Sequence, residues 1–272
     1  FTDAEALVNY ALEGLRERGL HENEEYTTRL QQELDVIEDR GFSKYFLTMK
    51  AIADKANEVQ LTGPGRGSAA GSLAAYVLGI TQIDPIKYGL LFERFLRKDA
   101  TDYPDIDYDV AEPMQLKEML MEDWGKNSVI PISNWNTLQL KSLIKDISKF
   151  YGVEFGEVNK VTSTMIAEAT PAAKMKHGIK AGVYAPTWQE VMELSPSLRG
   201  YLIKYPHIKT HVEALVGQVR SCSRHAGGVL IADDLNEHMP IISSGGVRQA
   251  PWAEGQNLRH LEPLGFIKFD LL

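Results

Sequence analysis

Tyr103-Pro-Asp-Ile-Asp-Tyr-Asp-Val110 is the segment that decides the fold, because apolar residues alternate in it with aspartates. This alternation predicts an extended strand that projects Asp105, Asp107 and Asp109 from one face. At a rise of about 3.4 Å per residue, Asp105 and Asp107 would lie about 7 Å apart along the backbone. Their side chains can converge on a pair of hard cations, which prefer carboxylate oxygen. An edge strand whose outer face is kept acidic for solubility is the alternative.

The composition is typical of a soluble globular protein. The chain has 272 residues, 44% hydrophobic and 24% charged, which is enough for one large domain or two of ordinary size. No apolar run approaches the roughly 20 residues of a membrane helix, and the N-terminus has no signal-peptide pattern. The single cysteine, Cys222, excludes an internal disulfide framework and a zinc site built on paired cysteines. A reducing, cytoplasmic setting without a membrane partner is therefore expected.

The net charge of −8 argues mildly against a nucleic-acid partner, because phosphate binding usually needs a basic surface. A site that collects carboxylates for metal ions is acidic on its own account, however, and basic residues can be grouped elsewhere. The chain starts at Phe1 and stops at Leu272 directly after an apolar run, so we expect an excerpt from a longer protein.

A glycine-rich segment, Leu61-Thr-Gly-Pro-Gly-Arg-Gly-Ser-Ala-Ala-Gly-Ser72, precedes the acidic strand. It predicts a short strand, a glycine turn and a small-residue helix that begins near Ser68. The glycines let the backbone approach an anion closely, and Ser68 with the free N–H groups of the helix start can bind phosphate. A tight strand-to-helix connection is the structural alternative. A Walker loop is excluded because no lysine follows Gly67.

A dinucleotide site is a second interpretation of the same glycines. Gly65-Arg-Gly-Ser-Ala-Ala70 fits the pattern G-x-G-x-x-A, and Asp84 lies roughly where a ribose-binding acid would be. The fit is weak, because residues 59–62 make a poor buried strand and a proline directly follows Asp84. An oxidoreductase is therefore the least favoured function.

Two charged residues outside the acidic strand are candidates for phosphate contacts. Arg94 lies between two phenylalanines just ahead of that strand, where it can meet a triphosphate or pair with Glu93 or an aspartate. Near the end of the chain, residues 265–272 alternate so that Lys268 and Asp270 share one face of a strand. A lysine in that place suits a phosphate beside a metal ion.

Helical patterns fall in two regions of the chain. Scaffold helices are predicted over residues 3–18, 26–40 and 43–57. A strongly amphipathic helix is predicted over 137–151, with Phe150 among its inward residues. Short helical patterns follow as far as residue 218, and prolines, the first of them Pro171, separate them.

The helix predicted over 137–151 carries Lys141, Lys145 and Lys149 at intervals of four residues, which form a single stripe. A lysine stripe suits a DNA backbone, and an ordinary solvated helix face is the alternative. Strand patterns lie over residues 128–132 and 228–232, and a hairpin is predicted at residues 240–252. His225, beside two glycines, is interpreted as a turn-fixing or packing residue rather than a proton donor.

Five blocks together resemble a known family. They are Gly63-Pro-Gly-Arg-Gly-Ser68, Leu90-Leu-Phe-Glu-Arg-Phe-Leu96, Pro104-Asp-Ile-Asp107, Arg224-His-Ala-Gly-Gly-Val-Leu-Ile-Ala232 and Gly265-Phe-Ile-Lys-Phe-Asp270. In this order they closely resemble the palm of the C-family replicative DNA polymerases, the family of the bacterial DNA polymerase III alpha subunit. Blocks spread over nearly the whole chain are far more specific than any one of them.

The resemblance implies an α/β fold of the α+β kind, a polymerase-beta-like nucleotidyltransferase palm with a mixed sheet and helices. The palm would comprise residues 1–136 and 219–272, interrupted by a helical thumb at 137–218. The family implies that Asp105, Asp107 and Asp270 hold two Mg²⁺ ions. It also implies that the triphosphate is contacted by Gly67, Ser68, Arg94 and Lys268.

The implied reaction is template-directed DNA synthesis, in which a primer 3′-hydroxyl attacks a dNTP and pyrophosphate leaves. The implied partners are primer-template DNA and dNTP. The lysine stripe, Lys141, Lys145 and Lys149, supplies candidate DNA contacts from the helical pattern rather than from the resemblance, because residues 133–141 depart from the family's usual sequence. A sliding clamp and other replisome subunits would bind through parts of the longer protein. We expect the chain alone to polymerise weakly or not at all. A non-catalytic nucleic-acid-binding module that keeps the palm fold is the alternative.

Overall fold

The computed structural model describes residues 1–99, 101, 103–252 and 260–272, and the chain divides into two compact units. One unit, here the mixed unit, comprises Phe1–Asn134 and Ser223–Leu272, and the other, the helical unit, comprises Trp135–Cys222. The chain combines helices with a small mixed sheet, so the predicted α+β class is confirmed. The assignment of residues 1–136 and 219–272 as palm and of 137–218 as thumb stays a prediction.

The mixed unit opens with three amphipathic helices, α1 (Asp3–Glu17), α2 (Glu24–Asp39) and α3 (Ser43–Val59), as predicted. A capping box at Thr2 starts α1, because the Thr2 hydroxyl and the Glu5 carboxylate each accept from the other's backbone N–H. The apolar faces of all three helices enter the core of this unit.

The glycine-rich segment differs from its prediction. Its helix start is a 3₁₀ turn at Gly67–Gly71, and Ser72 then adopts an extended conformation and caps the short helix α4 (Leu73–Val77). A continuous helix from Ser68 is not formed because Ser72, not Ser68, serves as the N-cap. A second 3₁₀ turn, Phe92–Arg94, lies ahead of the acidic strand.

The main sheet has the strand order β1–β6–β3–β2 among the described residues. Its strands are β1 (Asp107–Tyr108), β2 (Val129–Thr137), β3 (Val219–Ile231) and β6 (Lys268–Leu271). The pair β1–β6 is parallel and the pair β3–β6 is antiparallel. Both β2 and β3 are longer than predicted. The sequence pattern missed their additional residues, because these are mostly polar and partly exposed and so lack an apolar alternation.

The rest of the mixed unit is built from short elements. Helix α5 (Pro113–Trp124) follows β1, and helix α11 (Leu235–His238) follows β3. The predicted hairpin is confirmed: β4 (Ile242–Ser244) pairs with β5 (Val247–Gln249) through a turn at Gly245 and Gly246, both with positive φ. A last 3₁₀ turn, Glu262–Leu264, precedes β6.

The helical unit packs its helices around a core of its own. They are α6 (Leu140–Phe150), α7 (Phe155–Lys176), α8 (Trp188–Leu194), α9 (Pro196–Lys204) and α10 (Pro206–Leu215). Within the described part of the chain, no helix combines the length and the apolar character that crossing a membrane requires.

Two predictions for the helical unit are wrong. Pro171 lies inside α7 instead of ending a helix. A proline there loses a backbone hydrogen bond and crowds the preceding turn, and burial of Ala169 and Ala173 on either side offsets that cost. Phe150, predicted to face inward, is 83% exposed. It is the last residue of α6, and Gly152, with φ of 73°, then turns the chain.

Candidate metal and phosphate site

The three aspartates singled out in the sequence come together in the mixed unit. Asp107 on β1 lies directly opposite Asp270 on β6, and Asp105 lies two residues before Asp107, outside the two-residue strand. One carboxylate oxygen from each of the three lies within 4.8 Å of the other two. Because hard cations bind oxygen ligands at about 2.0–2.6 Å, this spacing allows all three carboxylates to bind a common cation.

The carboxylates lie in different surroundings. Asp105 is at the surface, but partial loss of hydration, together with repulsion from Asp270 and Asp107, raises its pKa to about 6 against the opposing effect of Lys268. Asp270 is only 5% exposed, and its Oδ2 accepts a hydrogen bond of 2.5 Å from Lys268 Nζ. Its buried Oδ1 has no hydrogen-bond partner among the described residues. A buried, unpaired carboxylate oxygen is costly, so this donor set fits a cation.

Tyr45 on α3 fixes the segment between the first two aspartates. Its hydroxyl accepts a hydrogen bond of 3.3 Å from the N–H of Ile106, and its ring stacks on Phe269 with centroids 4.9 Å apart. Burial, reinforced by the charges of the three aspartates, raises the pKa of the phenol. The sequence predicts Tyr45 only as part of a scaffold helix, since nothing in a helical pattern indicates which segment its hydroxyl meets.

The strand beside Asp270 is held by a histidine. Gly228 on β3 lies opposite Asp270, and His225 Nδ1 accepts from the N–H groups of Gly227 and Gly228 at 3.2 and 2.8 Å. An acceptor Nδ1 carries no proton, and burial lowers the pKa of His225. These contacts agree with the turn-fixing role that the sequence favoured for His225.

Lys117 on α5 is a buried cation that sequence reasoning missed. Its residue is 2% exposed, and its Nζ donates to the carbonyl oxygen of Ala226 on β3 at 3.0 Å. Burial lowers the pKa of Lys117, the charge of Arg224 acts in the same direction, and the charge of Asp270 opposes both. Nothing in the sequence distinguishes such a lysine from one on a solvated helix face.

The glycine turn begins beside the second aspartate. Gly67 has φ of 64°, and a Cβ built on it would lie 3.5 Å from Asp107 Oδ2. Ser68, the next residue, is exposed. Asp109 makes an ion pair of 3.1 Å with Arg66. It thereby links the acidic segment to the glycine turn, a structural role for the aspartate outside the three-carboxylate cluster.

Arg94 and Lys268 differ in their contacts. Arg94 is exposed at the end of its 3₁₀ turn and makes no ion pair within the described residues, so the predicted alternative of pairing with Glu93 or an aspartate is not observed. Lys268 lies on the same face of β6 as Asp270, as the alternation predicted, and pairs with it. Burial opposes its charge, but this hydrogen bond and the nearby carboxylates raise the pKa of Lys268.

The predicted lysine stripe lies on α6 in the helical unit. Lys141 and Lys149 are exposed, and Lys145 is half-buried with its ammonium 5.5 Å from the ring centroid of Phe155. All three are therefore on the side of α6 away from its buried residues. A cation over an aromatic ring at such a site is a weak attachment, worth about 0.5–1 kcal/mol.

The chain belongs to the family described as the bacterial DNA polymerase III alpha NTPase domain, which matches residues 5–272. Among its relatives is the DNA polymerase III subunit alpha of Bacillus subtilis (strain 168), 35% identical over 98% of this chain and 23% of that protein. The corresponding subunits of Aquifex aeolicus (strain VF5) and Yersinia pestis are 33% and 32% identical over 98% of this chain. They are matched over 24% and 22% of their own lengths, so the chain spans about a quarter of each relative. The family predicted from the five sequence blocks is confirmed.

Proposed function

We propose that this chain holds the nucleotidyl-transfer site of a template-directed DNA polymerase. The reaction joins a deoxynucleotide from a dNTP to a primer 3′-hydroxyl and releases pyrophosphate. The observation that carries the proposal is the meeting of Asp105, Asp107 and Asp270 within 4.8 Å, in a chain of this family. The mixed unit would be a polymerase-beta-like nucleotidyltransferase palm, and the helical unit would be the thumb.

The three aspartates would hold two Mg²⁺ ions, one bound by Asp105, Asp107 and Asp270 and the other by Asp105 and Asp107. When bound, Mg²⁺ would favour ionisation of the primer hydroxyl and neutralise charge on the triphosphate. The unpaired Oδ1 of Asp270 supports this assignment, because a buried carboxylate oxygen without a donor is a ready ligand.

The phosphates would be contacted by residues on three segments. Gly67 and Ser68 would offer backbone N–H groups and a hydroxyl, and Arg94 would offer a guanidinium that makes no ion pair within the described residues. Lys268 uses one N–H for Asp270 and keeps two for a phosphate oxygen. These groups would orient the triphosphate and stabilise the charge that develops on it.

Primer-template DNA would lie against the helical unit, with Lys141, Lys145 and Lys149 as candidate contacts to its backbone. Because the chain spans about a quarter of its relatives, contacts with a sliding clamp and other replisome subunits would fall to further parts of the protein. We expect the 272-residue chain alone to extend primers weakly or not at all. Its place of action would be the cytoplasm.

Asp107→Asn tests the proposal in the natural full-length protein that contains this sequence. Primer extension should fall below detection, because the amide is a poor ligand for Mg²⁺, while primer-template binding measured by fluorescence anisotropy should be unchanged. Asp99→Asn, at an exposed aspartate, is the matched control and should retain full extension. An Asp107→Asn variant that still extends primers would contradict the assignment. A wild-type protein that binds DNA and never extends it would favour the non-catalytic binding module.

A further inference from the structure

A buried ion pair on α2 has no part in the site described so far. Arg29 and Glu33 are one helical turn apart, and Arg29 Nε donates to Glu33 Oε2 at 2.7 Å. Glu33 is 0% exposed. A carboxylate taken wholly out of water needs several donors to remain charged, and the positions of those donors indicate what the pair holds in place.

The donors to Glu33 come from the segment that follows the glycine turn. Ser72 Oγ donates to Oε1 at 2.9 Å, the N–H of Leu73 to Oε2 at 2.9 Å and the N–H of Ala74 to Oε1 at 3.0 Å. Burial raises the pKa of Glu33, and these N–H groups together with Arg29 act against that rise by stabilising the carboxylate. Glu33 thus anchors the chain at the point where Gly67–Gly71 passes into α4.

The guanidinium of Arg29 joins that point to a second segment. Its Nη2 donates to the carbonyl oxygen of Gly71 at 2.7 Å and to that of Leu90 at 3.0 Å. Gly71 also packs directly against the second segment, because a Cβ built on it would lie 2.6 Å from the carbonyl oxygen of Leu91. Gly71 ends the 3₁₀ turn that carries Ser68, and Leu90 and Leu91 lead directly into the 3₁₀ turn that carries Arg94.

We infer that Arg29 and Glu33 are positioning residues that hold Gly67–Gly71 and Phe92–Arg94 together as one anion-binding unit for the triphosphate. The inference rests on the proposed function, since it assigns the two turns to the nucleotide. If the pair served only to stabilise the core, its hydrogen bonds would be expected within α2 or to a single neighbouring element. This pair instead bonds to the backbone at the junction of both turns, while Asp107 and Asp270 are held by paired strands.

The experiment measures the two halves of the proposed site separately in the 272-residue chain. The metal-binding half is Asp105, Asp107 and Asp270, and the phosphate-binding half is the pair of turns Gly67–Gly71 and Phe92–Arg94. Electron paramagnetic resonance of free Mn²⁺ reports the binding of Mn²⁺ at the aspartates in the absence of nucleotide. Isothermal titration with dATP at saturating Mn²⁺ then reports the phosphate-binding half. A wild-type chain that binds neither ligand would overturn the proposed function, and the inference with it, before any variant is made.

Glu33→Gln and Gly71→Ala perturb the junction in independent ways. Glu33→Gln keeps the shape and removes the charge that Arg29 and three other donors require. Gly71→Ala leaves the ion pair in place and forces a methyl group against Leu91. Both should weaken dATP binding at least tenfold and change Mn²⁺ affinity less than twofold. Asp54→Asn, in the exposed pair between Lys50 and Asp54 on α3, is the control and should change neither.

The outcomes are distinguishable. Loss of dATP binding with retained Mn²⁺ binding in either variant supports the inference, and Gly71→Ala decides if Glu33→Gln does not fold. Unchanged dATP affinity in the variants that fold would overturn it. Parallel loss of both ligands would overturn it as well, since the pair would then support the whole unit. In the full-length protein, the supporting result is a raised KM for dATP with kcat little changed.

Discussion

The two halves of the site are positioned by different kinds of interaction. Asp107 and Asp270 are neighbours because β1 and β6 pair in parallel, so backbone hydrogen bonds set their spacing. The turns at Gly67–Gly71 and Phe92–Arg94 belong to no strand, and side chains of α2 hold their junction. The proposed metal-binding half therefore depends on strand register, and the proposed phosphate-binding half depends on a buried ion pair outside both turns.

This difference predicts different responses to mutation. A carboxylate whose position is fixed by strand pairing should keep its place when nearby side chains change. It should be displaced only when the aspartate itself or the strand pairing changes. A turn held by a distant side chain is displaced by mutations that touch no ligand. The two halves can accordingly be impaired one at a time. Asp270→Asn and Gly67→Ala test this separation, and Lys117→Met tests a buried cation outside both halves.

Asp270→Asn should have the largest effect. It removes the buried ligand whose Oδ1 is unpaired, so primer extension by the full-length protein should fall by roughly a hundredfold to a thousandfold or more. Mn²⁺ binding to the 272-residue chain should weaken in parallel. The separation of the two halves is contradicted if Mn²⁺ binding survives and only dATP binding is lost.

Gly67→Ala should have an intermediate effect. An alanine at φ of 64° costs about 1–2 kcal/mol of folding stability, and the turn beside Asp107 must shift to relieve that strain. We expect dATP binding to weaken several-fold with little change in Mn²⁺ binding.

Gly245→Ala is the matched control for this strain, since Gly245 has φ of 59° in the hairpin turn and open space around it. Both variants should lose similar stability in urea unfolding, and only Gly67→Ala should lose dATP affinity. Equal losses of dATP affinity would show that general destabilisation, rather than the glycine turn, sets nucleotide binding.

Lys117→Met should have the smallest effect, on the pH dependence of stability. Burial lowers the pKa of Lys117 in the folded chain, so the unfolded chain binds more protons at this residue. The wild-type chain should therefore gain stability relative to Lys117→Met as pH rises from the lowered pKa toward the unfolded value of about 10.4. Urea unfolding of both proteins at about pH 8 and about pH 10 measures this difference. An equal difference in unfolding free energy between the two proteins at both pH values would mean that folding does not lower the pKa of Lys117.

The residues that meet in the proposed metal-binding half could largely be predicted from the sequence, because their signals are local. Alternation places Asp105 and Asp107 on one segment and Lys268 beside Asp270 on another, and the order of the five blocks indicates that these segments belong together. Their spatial proximity is what the structure adds, through the parallel pairing of β1 with β6.

The supports of the phosphate-binding half could not be predicted. Arg29 and Glu33, one turn apart on a helix, have the spacing of an ordinary surface ion pair, and the sequence does not show that α4 covers them. The burial of Lys117 could not be predicted for the same reason, since it depends on contact with β3. The polar part of β3 has no apolar alternation, so the sequence predicts a strand only over its buried last residues.

The pairing of β1 with β6 also has a consequence for the order in which the site forms during synthesis. β1 is two residues long, and its parallel ladder partner β6 follows it in the chain only after the helical unit and β3. A ribosome that has made the glycine turn, the acidic segment and the whole helical unit has still made only two of the three carboxylates. The complete set of three carboxylates of the proposed metal site therefore assembles only after β6 has emerged and closed the longest loop in the sheet.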